Sequence, residues 1–552
     1  MSARTDQAPD RQPDPDVDVV VVGAGITGIY QLWRALQSGF TALLLEAGDG
    51  VGGTWYWNRY PGARFDSESY TYGYFFSREL FETWEWQEHF AGQPEIERYL
   101  NHVVDRFDLR RRIRFGTRVS AATYDERSGT WQVGTADGYR VTARFVIAAT
   151  GVLSIPYLPD VPGRDDFGGE AYHTGLWPAD QVDFAAKRVA VVGTSSSGVQ
   201  VVPAIASQVA ALTVYQRTAN WCTPLNNAPI TAVEQDELRA GFEQMRHTVN
   251  TSVHGFHHPV HDRAAFDDPE DERRRFYEKM WNSPGFRKLT SNYTDLLFNH
   301  EANAEWCEFI AGKIRSLVDD PATAERLIPT DHRFGEKRPP FVTGYYEAFN
   351  RPNVSLVDLR ETPMIRVTQT GIETTDGLRE FDIIVWATGF DFGTGALARM
   401  GITGRQGREL TDHWADGPRT FLGIQTHGFP NLFFPGGPHA ASGNNPRYNS
   451  DQVDFITDLL VHARERGAGV IEVGERSEER WTNMVNRGAA HSSFSESSYF
   501  FGTNIPGKPV RYLLNSGGRP KLFSIMAETI SSGYDAFALS QPAEAAGSIV
   551  GR

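Results

Sequence analysis

Two short glycine-rich turns, one at Gly23 and one at Gly193, constrain this chain of 552 residues more than any other feature. Asp16–Gly25 (DVDVVVVGAG) is a β-branched run that ends in glycines, and a stretch of helical character follows from Ile26 to Ser38. Gly39 stops it, and Thr41–Glu46 (TALLLE) reads as the next strand. Lys187–Gly198 (KRVAVVGTSSSG), a helical stretch through Gln208, and Leu212–Arg217 (LTVYQR) repeat the plan. In such a unit the turn brings backbone N–H groups and a helix N-terminus up to a pyrophosphate. The expected fold is α/β, with two Rossmann-like dinucleotide-binding domains. Two nucleotide sites in one chain imply two cofactors that exchange electrons.

The two turns differ in ways that assign the cofactors. Gly23, Gly25 and Gly28 complete a G-x-G-x-x-G, and Glu46 ends the second strand, where an acid accepts hydrogen bonds from ribose hydroxyls. The second turn has Gly193, Thr194, Ser195, Ser196, Ser197 and Gly198, with serine in place of the middle glycine. Its counterpart of Glu46 is Gln216–Arg217, followed by Thr218. A cation there suits a 2′-phosphate, and Lys337 can supply a second charge. FAD is therefore expected on the first unit, with Val119 among its contacts, and NADPH on the second.

Each unit is closed by a strand and an Ala-Thr-Gly: Phe145–Gly151 (FVIAATG) and Asp382–Phe390 (DIIVWATGF). Such junctions are where the chain can cross between domains. Residues 1–15 read as a polar, Pro-rich disordered lead-in without a signal peptide's apolar core. Residues 16–151 form the first part of the FAD domain and 152–224 the first part of the NADP domain. A helical insertion in the NADP domain spans 225–330, with a capping box at Thr231 and Glu234 and a helix start at Pro269. The NADP domain resumes over 331–385 and the FAD domain over 386–552. A net charge of −15 argues against nucleic-acid or anionic-membrane partners, and no apolar run is long enough to span a bilayer. Cys222 and Cys307 are the only cysteines, too few for a disulfide framework and without a C-x-x-C, which suits a cytoplasmic setting.

Between the two units, Phe167–Pro178 (FGGEAYHTGLWP) fits F-x-G-x-x-x-H-T-x-x-W-P. It resembles the signature of the single-chain, FAD-containing, NADPH-dependent Baeyer–Villiger monooxygenases. Gly52–Asp66 (GGTWYWNRYPGARFD), Phe334–Arg338 (FGEKR) and Tyr345–Asp358 (YYEAFNRPNVSLVD) resemble further blocks of that family, and the likeness covers roughly residues 16 to 540. It implies that NADPH reduces FAD and that O2 then gives a C4a-peroxide. This peroxide attacks a ketone and inserts one oxygen to give an ester or lactone plus water. It also implies that Arg338 is the active-site cation and Asp66 its partner, and that Thr54, Trp55, Asp66 and Tyr72 contact FAD or line its pocket.

A permanently charged guanidinium fits this chemistry, because it stabilises an anion without losing its proton in a dry site. His173 is expected to hydrogen-bond and relay domain motion rather than transfer a proton. His254, His257, His258 and His261 lack companions for a metal site, so no metal is expected. Substrate-facing stretches are expected at Trp221–Leu225, Pro438–Asn445 and Ser498–Thr503. The small-molecule ketone itself and the oligomeric state stay open. The rivals are a flavin-containing monooxygenase acting on amines or thioethers, and a non-catalytic nucleotide-binding scaffold.

Overall fold

The computed structural model describes residues 15–440, 443–515 and 517–543. Residues 1–14 of the expected lead-in, and Ala441 and Ser442 of one expected substrate stretch, lie outside the described residues. Strand β1 (Val17–Val22) pairs in parallel with β2 (Ala42–Leu45), which pairs with β3 (Ile113–Arg114). Val19, Val20 and Val21 are fully buried, as a parallel strand covered on both faces requires. An antiparallel meander, β4 (Val119–Asp125), β5 (Thr130–Thr135) and β6 (Arg140–Ala148), returns to pair β6 in parallel with β1.

The second unit holds a wholly parallel sheet. It contains β7 (Glu170–His173), β8 (Arg188–Val192), β9 (Ala211–Gln216) and β10 (Val354–Asp358). After a small antiparallel sheet of β11 (Met364–Val367), β12 (Gly371–Thr374) and β13 (Gly377–Glu380), β14 (Ile383–Trp386) inserts between β7 and β8. The chain then returns to the first unit. There β15 (Ile402–Thr403) pairs with β4, β16 (Leu432–Phe433) pairs with β6, and the helix Asn445–Glu465 packs on the helix Ile26–Gln37. Tyr30 Oη donates to Asp454 Oδ1 at 2.7 Å across that helix pair.

Each Ala-Thr-Gly has a steric reason. A Cβ on Gly23 would meet Ala149 O at 2.8 Å, and one on Gly193 would meet Ala387 O at 2.4 Å. The backbone after each closing strand therefore lies directly against its own fingerprint glycine. The crossovers also touch each other: Pro156 bridges Phe390, and Tyr157 N–H donates to Gly389 O at 2.8 Å.

The segment expected as one helical insertion in the second unit is divided between the two. The capping box of Thr231 and Glu234 opens the helix Ala232–Ala240, and Pro269 caps the helix Glu270–Asn282. In the helix Phe242–Thr251, however, Phe242, Met245 and Val249 join the core of the first unit, with Phe242 4.7 Å from the Phe81 ring. Tyr277, Met280, Trp306, Ile310 and Ile314 join the core of the second. Each apolar face follows the nearest complementary surface, worth about 1.5–3 kcal/mol per large side chain fully buried.

Candidate active site at the junction of the two units

At the first fingerprint, Gly23 has φ +102, and a Cβ on Gly28 would lie 1.8 Å from Gly23 O. The helix Ile26–Gln37 starts at Gly25 without a side-chain cap or an acid in its first turn, so its N-terminal N–H groups face an anion site. The same holds for the helix Ser196–Ile205 behind Ser195. Ser195 itself is exposed. A Cβ on Gly198 would lie 2.0 Å from Gly193 O, so this glycine too is a packing necessity. Both cradles fit a dinucleotide.

Glu46 is buried, and its carboxylate accepts from Ala24 N–H at 2.6 Å and Gly48 N–H at 2.7 Å. Burial pushes its carboxyl upward, and those two N–H groups oppose the shift. Val119 starts β4 two residues after Thr117, whose N–H donates to Glu46 O at 2.7 Å. Thr54 is exposed at the start of the short helix Thr54–Trp57. Buried Trp55 donates from Nε1 to Tyr72 Oη at 2.9 Å, and burial raises Tyr72 to about 12.

Between the cradles, Arg338 Nη2 lies 2.6 Å from Asp66 Oδ1. Nη1 of Arg338 donates to Ser196 Oγ at 3.3 Å, so the guanidinium joins the first unit's aromatic block to the second unit's helix N-terminus. Its Cζ sits 5.1 Å above the Phe286 ring. Burial opposes the charge on Arg338, but the Asp66 carboxylate more than compensates and the guanidinium pKa is raised. Tyr499, from the Ser498–Thr503 stretch, feels both groups: burial raises it to about 12, with Arg338 opposing and Asp66 adding. Tyr60 Oη donates to Gln200 Oε1 at 2.7 Å, a further tie between the units.

At the end of β9, Arg217 is exposed and has no hydrogen-bond or ion-pair partner among the described residues. Thr194 Oγ1 donates to Thr218 O at 2.7 Å. Lys337 Nζ stands 3.5 Å from Asp331, which also binds Arg360 at 2.7 Å and His332 at 2.7 Å. Burial pushes Asp331 up, yet the His332 hydrogen bond and the Lys337 and Arg360 charges hold it at about 2. Arg360 also donates to Thr218 Oγ1 at 3.2 Å. Sequence reasoning missed Arg360. Its only signal was a basic residue just past β10, the strand beside β9.

The segment Phe167–Pro178 bridges the units. Thr174 Oγ1 lies 2.9 Å from Ser197 Oγ, and Trp177 N–H donates to Trp57 O at 3.1 Å. His173 Nδ1 accepts from Gly175 N–H at 2.9 Å, which leaves the ring proton on Nε2. That nitrogen is buried and has no hydrogen-bond partner among the described residues. Burial lowers His173 to about 4. Of the expected substrate stretches, Trp221 and Cys222 are enclosed in the second unit's core, with Trp221 Nε1 donating to His332 O at 3.0 Å. Both side chains pack in that core.

Comparison with known proteins adds a name to this geometry. The pyridine nucleotide-disulphide oxidoreductase family model matches residues 20–277. The chain is 42% identical over 542 residues to the 2-oxo-Delta(3)-4,5,5-trimethylcyclopentenylacetyl-CoA monooxygenase of Pseudomonas putida, covering 96% of this chain and 99% of that one. It is 36% identical to a Baeyer-Villiger monooxygenase of Pseudooceanicola batsensis, covering 96% of this chain and 97% of that one. The crystal structure of OTEMO in complex with FAD and NADP superposes with a TM-score of 0.92 at 42% identity, covering 96% of this chain and 100% of that chain.

This chain belongs to the Baeyer–Villiger monooxygenases.

As a member of that family it is an NADPH-dependent flavoprotein monooxygenase that uses O2 to turn a ketone into an ester or lactone. Its cofactors are FAD and NADPH. Among the described residues no helix is long and apolar enough to cross a membrane. Cys222 and Cys307 are both free thiols, so this Baeyer–Villiger monooxygenase shares the oxidoreductase fold without a redox disulfide.

Proposed function

We propose that oxygen insertion takes place beside Arg338, with FAD held by the Gly23 cradle and Glu46, and NADPH by the Gly193 cradle, Arg217, Thr218, Lys337 and Arg360. The observation that carries this reading is the 2.6 Å pair of Arg338 and Asp66, set between the two cradles and tied to both units. Bound FAD, reduced by NADPH, supplies the oxygen-transferring chemistry. Arg338 holds a positive charge where the ketone oxygen becomes negative as its carbonyl carbon turns tetrahedral. Asp66 fixes the guanidinium plane and offsets the cost of keeping a cation in a largely enclosed place. Phe286 closes one face of Arg338 against water, and Tyr499 stands near both charges. No side chain is required as a nucleophile.

The substrate in this reading is an uncharged ketone, and the compartment is the cytoplasm, in keeping with two free thiols and a need for NADPH. The test is a panel of cyclic, linear, aromatic and steroidal ketones, with amines and thioethers alongside, scored by product mass. Ester or lactone formation from at least one ketone class is expected. Turnover of amines or thioethers with no ketone oxidised would reject the reading.

A further inference from the structure

The histidine-rich stretch 254–261 finds its partners inside the protein. His258 is buried, and its Nε2 lies 2.7 and 2.8 Å from the two carboxylate oxygens of Glu68, itself buried. Its Nδ1 lies 2.6 Å from Thr290 Oγ1. The same hydroxyl lies 3.0 Å from Phe286 O, so Glu68 and Thr290 engage both ring nitrogens of His258 and fix the plane of the ring.

Two routes lead from this pair to Arg338. The first is the backbone: Glu68 is two residues from Asp66, the ion-pair partner of Arg338. The second is a stack of rings. His258 lies flat on Phe256 (4.9 Å, 3°), Phe256 lies on Phe286 (5.1 Å, 25°), and Phe286 carries the Arg338 guanidinium at 5.1 Å. The contacts close a ring through Asp66, Glu68, His258, Phe256, Phe286 and Arg338. The turn before Phe286 is pressed against the same loop, since a Cβ on Gly285 would meet Asp66 O at 2.8 Å.

We propose that Glu68 and His258 are positioning residues for oxygen transfer. Their buried hydrogen-bonded pair fixes the carboxylate and the aromatic face that together hold the Arg338 guanidinium. The inference rests on the role given to Arg338 above. The other charged or titratable groups facing the pair are Arg287, 3.7 Å from Glu68 Oε1, together with His257 and Tyr70. Burial opposes the Glu68 charge, and His258 more than offsets it, so its carboxyl sits below the ordinary glutamate range. A hydrogen-bonded pair of this kind specifies geometry more than it stabilises the fold.

The experiment compares the flavin-loaded wild type with His258→Gln, Glu68→Gln and Phe256→Leu. Phe256→Leu breaks the stack and leaves the Glu68–His258 contact, so it stands as the test where a variant of that pair fails to load flavin. Two activity readouts are taken: the rate of flavin bleaching by NADPH, and the ratio of ester to hydrogen peroxide formed per NADPH consumed. Bleaching is expected to stay within about twofold, while the ester-to-peroxide ratio falls at least about 10-fold, the scale of small misplacements of reacting groups. Unchanged ester-to-peroxide ratios in the flavin-loaded variants would overturn the proposal. If the wild type makes no ester from any ketone, the reading of Arg338 falls first, and the two failures are told apart.

Discussion

Arg338 and Asp66 stand 272 residues apart in the chain and meet at 2.6 Å, with the guanidinium a quarter exposed and the carboxylate a tenth. Arg338 follows a loop of the second unit, and Asp66 ends the aromatic block of the first. Their contact therefore ties the two units together as well as forming a local ion pair.

Asp66→Asn keeps the shape of that contact and removes its charge. Ester formation is expected to fall by about 10-fold or more, because a cation left without its partner is misplaced and poorly compensated. NADPH-driven flavin bleaching should change far less. Parallel stopped-flow and product assays check this, and equal losses in both would count against a role confined to oxygen transfer.

The corner formed by Arg217, Thr218, Lys337 and Arg360 is expected to read the 2′-phosphate. Arg217→Ala and Arg360→Ala should each raise the KM for NADPH by about 10-fold or more, as loss of a charge-assisted hydrogen bond of roughly 1.5–3 kcal/mol implies. The KM for NADH should move little. Steady-state kinetics with both nucleotides decide the matter, and parallel shifts for the two would remove these residues from 2′-phosphate recognition.

The two fingerprints can be separated by single methyl groups. In Gly28→Ala the new Cβ would lie 1.8 Å from Gly23 O, and in Gly198→Ala 2.0 Å from Gly193 O. Backbone atoms cannot step aside at that distance. Gly28→Ala is expected to yield protein with little flavin per chain. Gly198→Ala should keep its flavin and lose most of its bleaching by NADPH. Flavin content and bleaching rate, measured on both, test the assignment of cofactor to cradle.

His173 gives a pH prediction with a definite sign. Burial holds it at about 4, below the ordinary 6.5, so the folded protein resists a proton that the unfolded chain accepts. Stability is therefore lost as pH falls from about 6.5 towards 4. His439, also lowered to about 4 by burial, adds to the same window. His173→Asn should flatten the decline in melting temperature over this range without abolishing it. Superimposable profiles for wild type and variant would show that His173 is not a buried neutral ring. A neutral His173 also argues against proton donation at neutral pH.

The sheet frame was legible because its signals are local. β1 is a run of valines, each fingerprint glycine follows its strand, and Glu46 closes β2, so periodicity and spacing place them without tertiary information. The Ala-Thr-Gly junctions were visible as motifs, but the close approach of the Ala149 and Ala387 carbonyls to Gly23 and Gly193 needs the folded chain. Arg338 and Asp66 stood out by resemblance alone, since no spacing rule joins residues so far apart. Arg360, Phe286 and the Glu68–His258 pair were not legible. Each acquires its partner through packing between separate segments, and an isolated Phe or Glu carries no mark of that. The stretch at Trp221 and Cys222 lies in the second unit's core, and its composition gave no sign of that, because a core and an apolar substrate wall have the same composition.

The most direct test of the account is Arg338→Ala, assayed for flavin bleaching and for ester formation on one ketone that the wild type oxidises. Bleaching by NADPH is expected to persist, while ester formation drops roughly 100- to 1,000-fold, the loss that follows removal of a preorganised charge from a developing oxyanion. Ester formation at the wild-type rate in that variant would contradict the account.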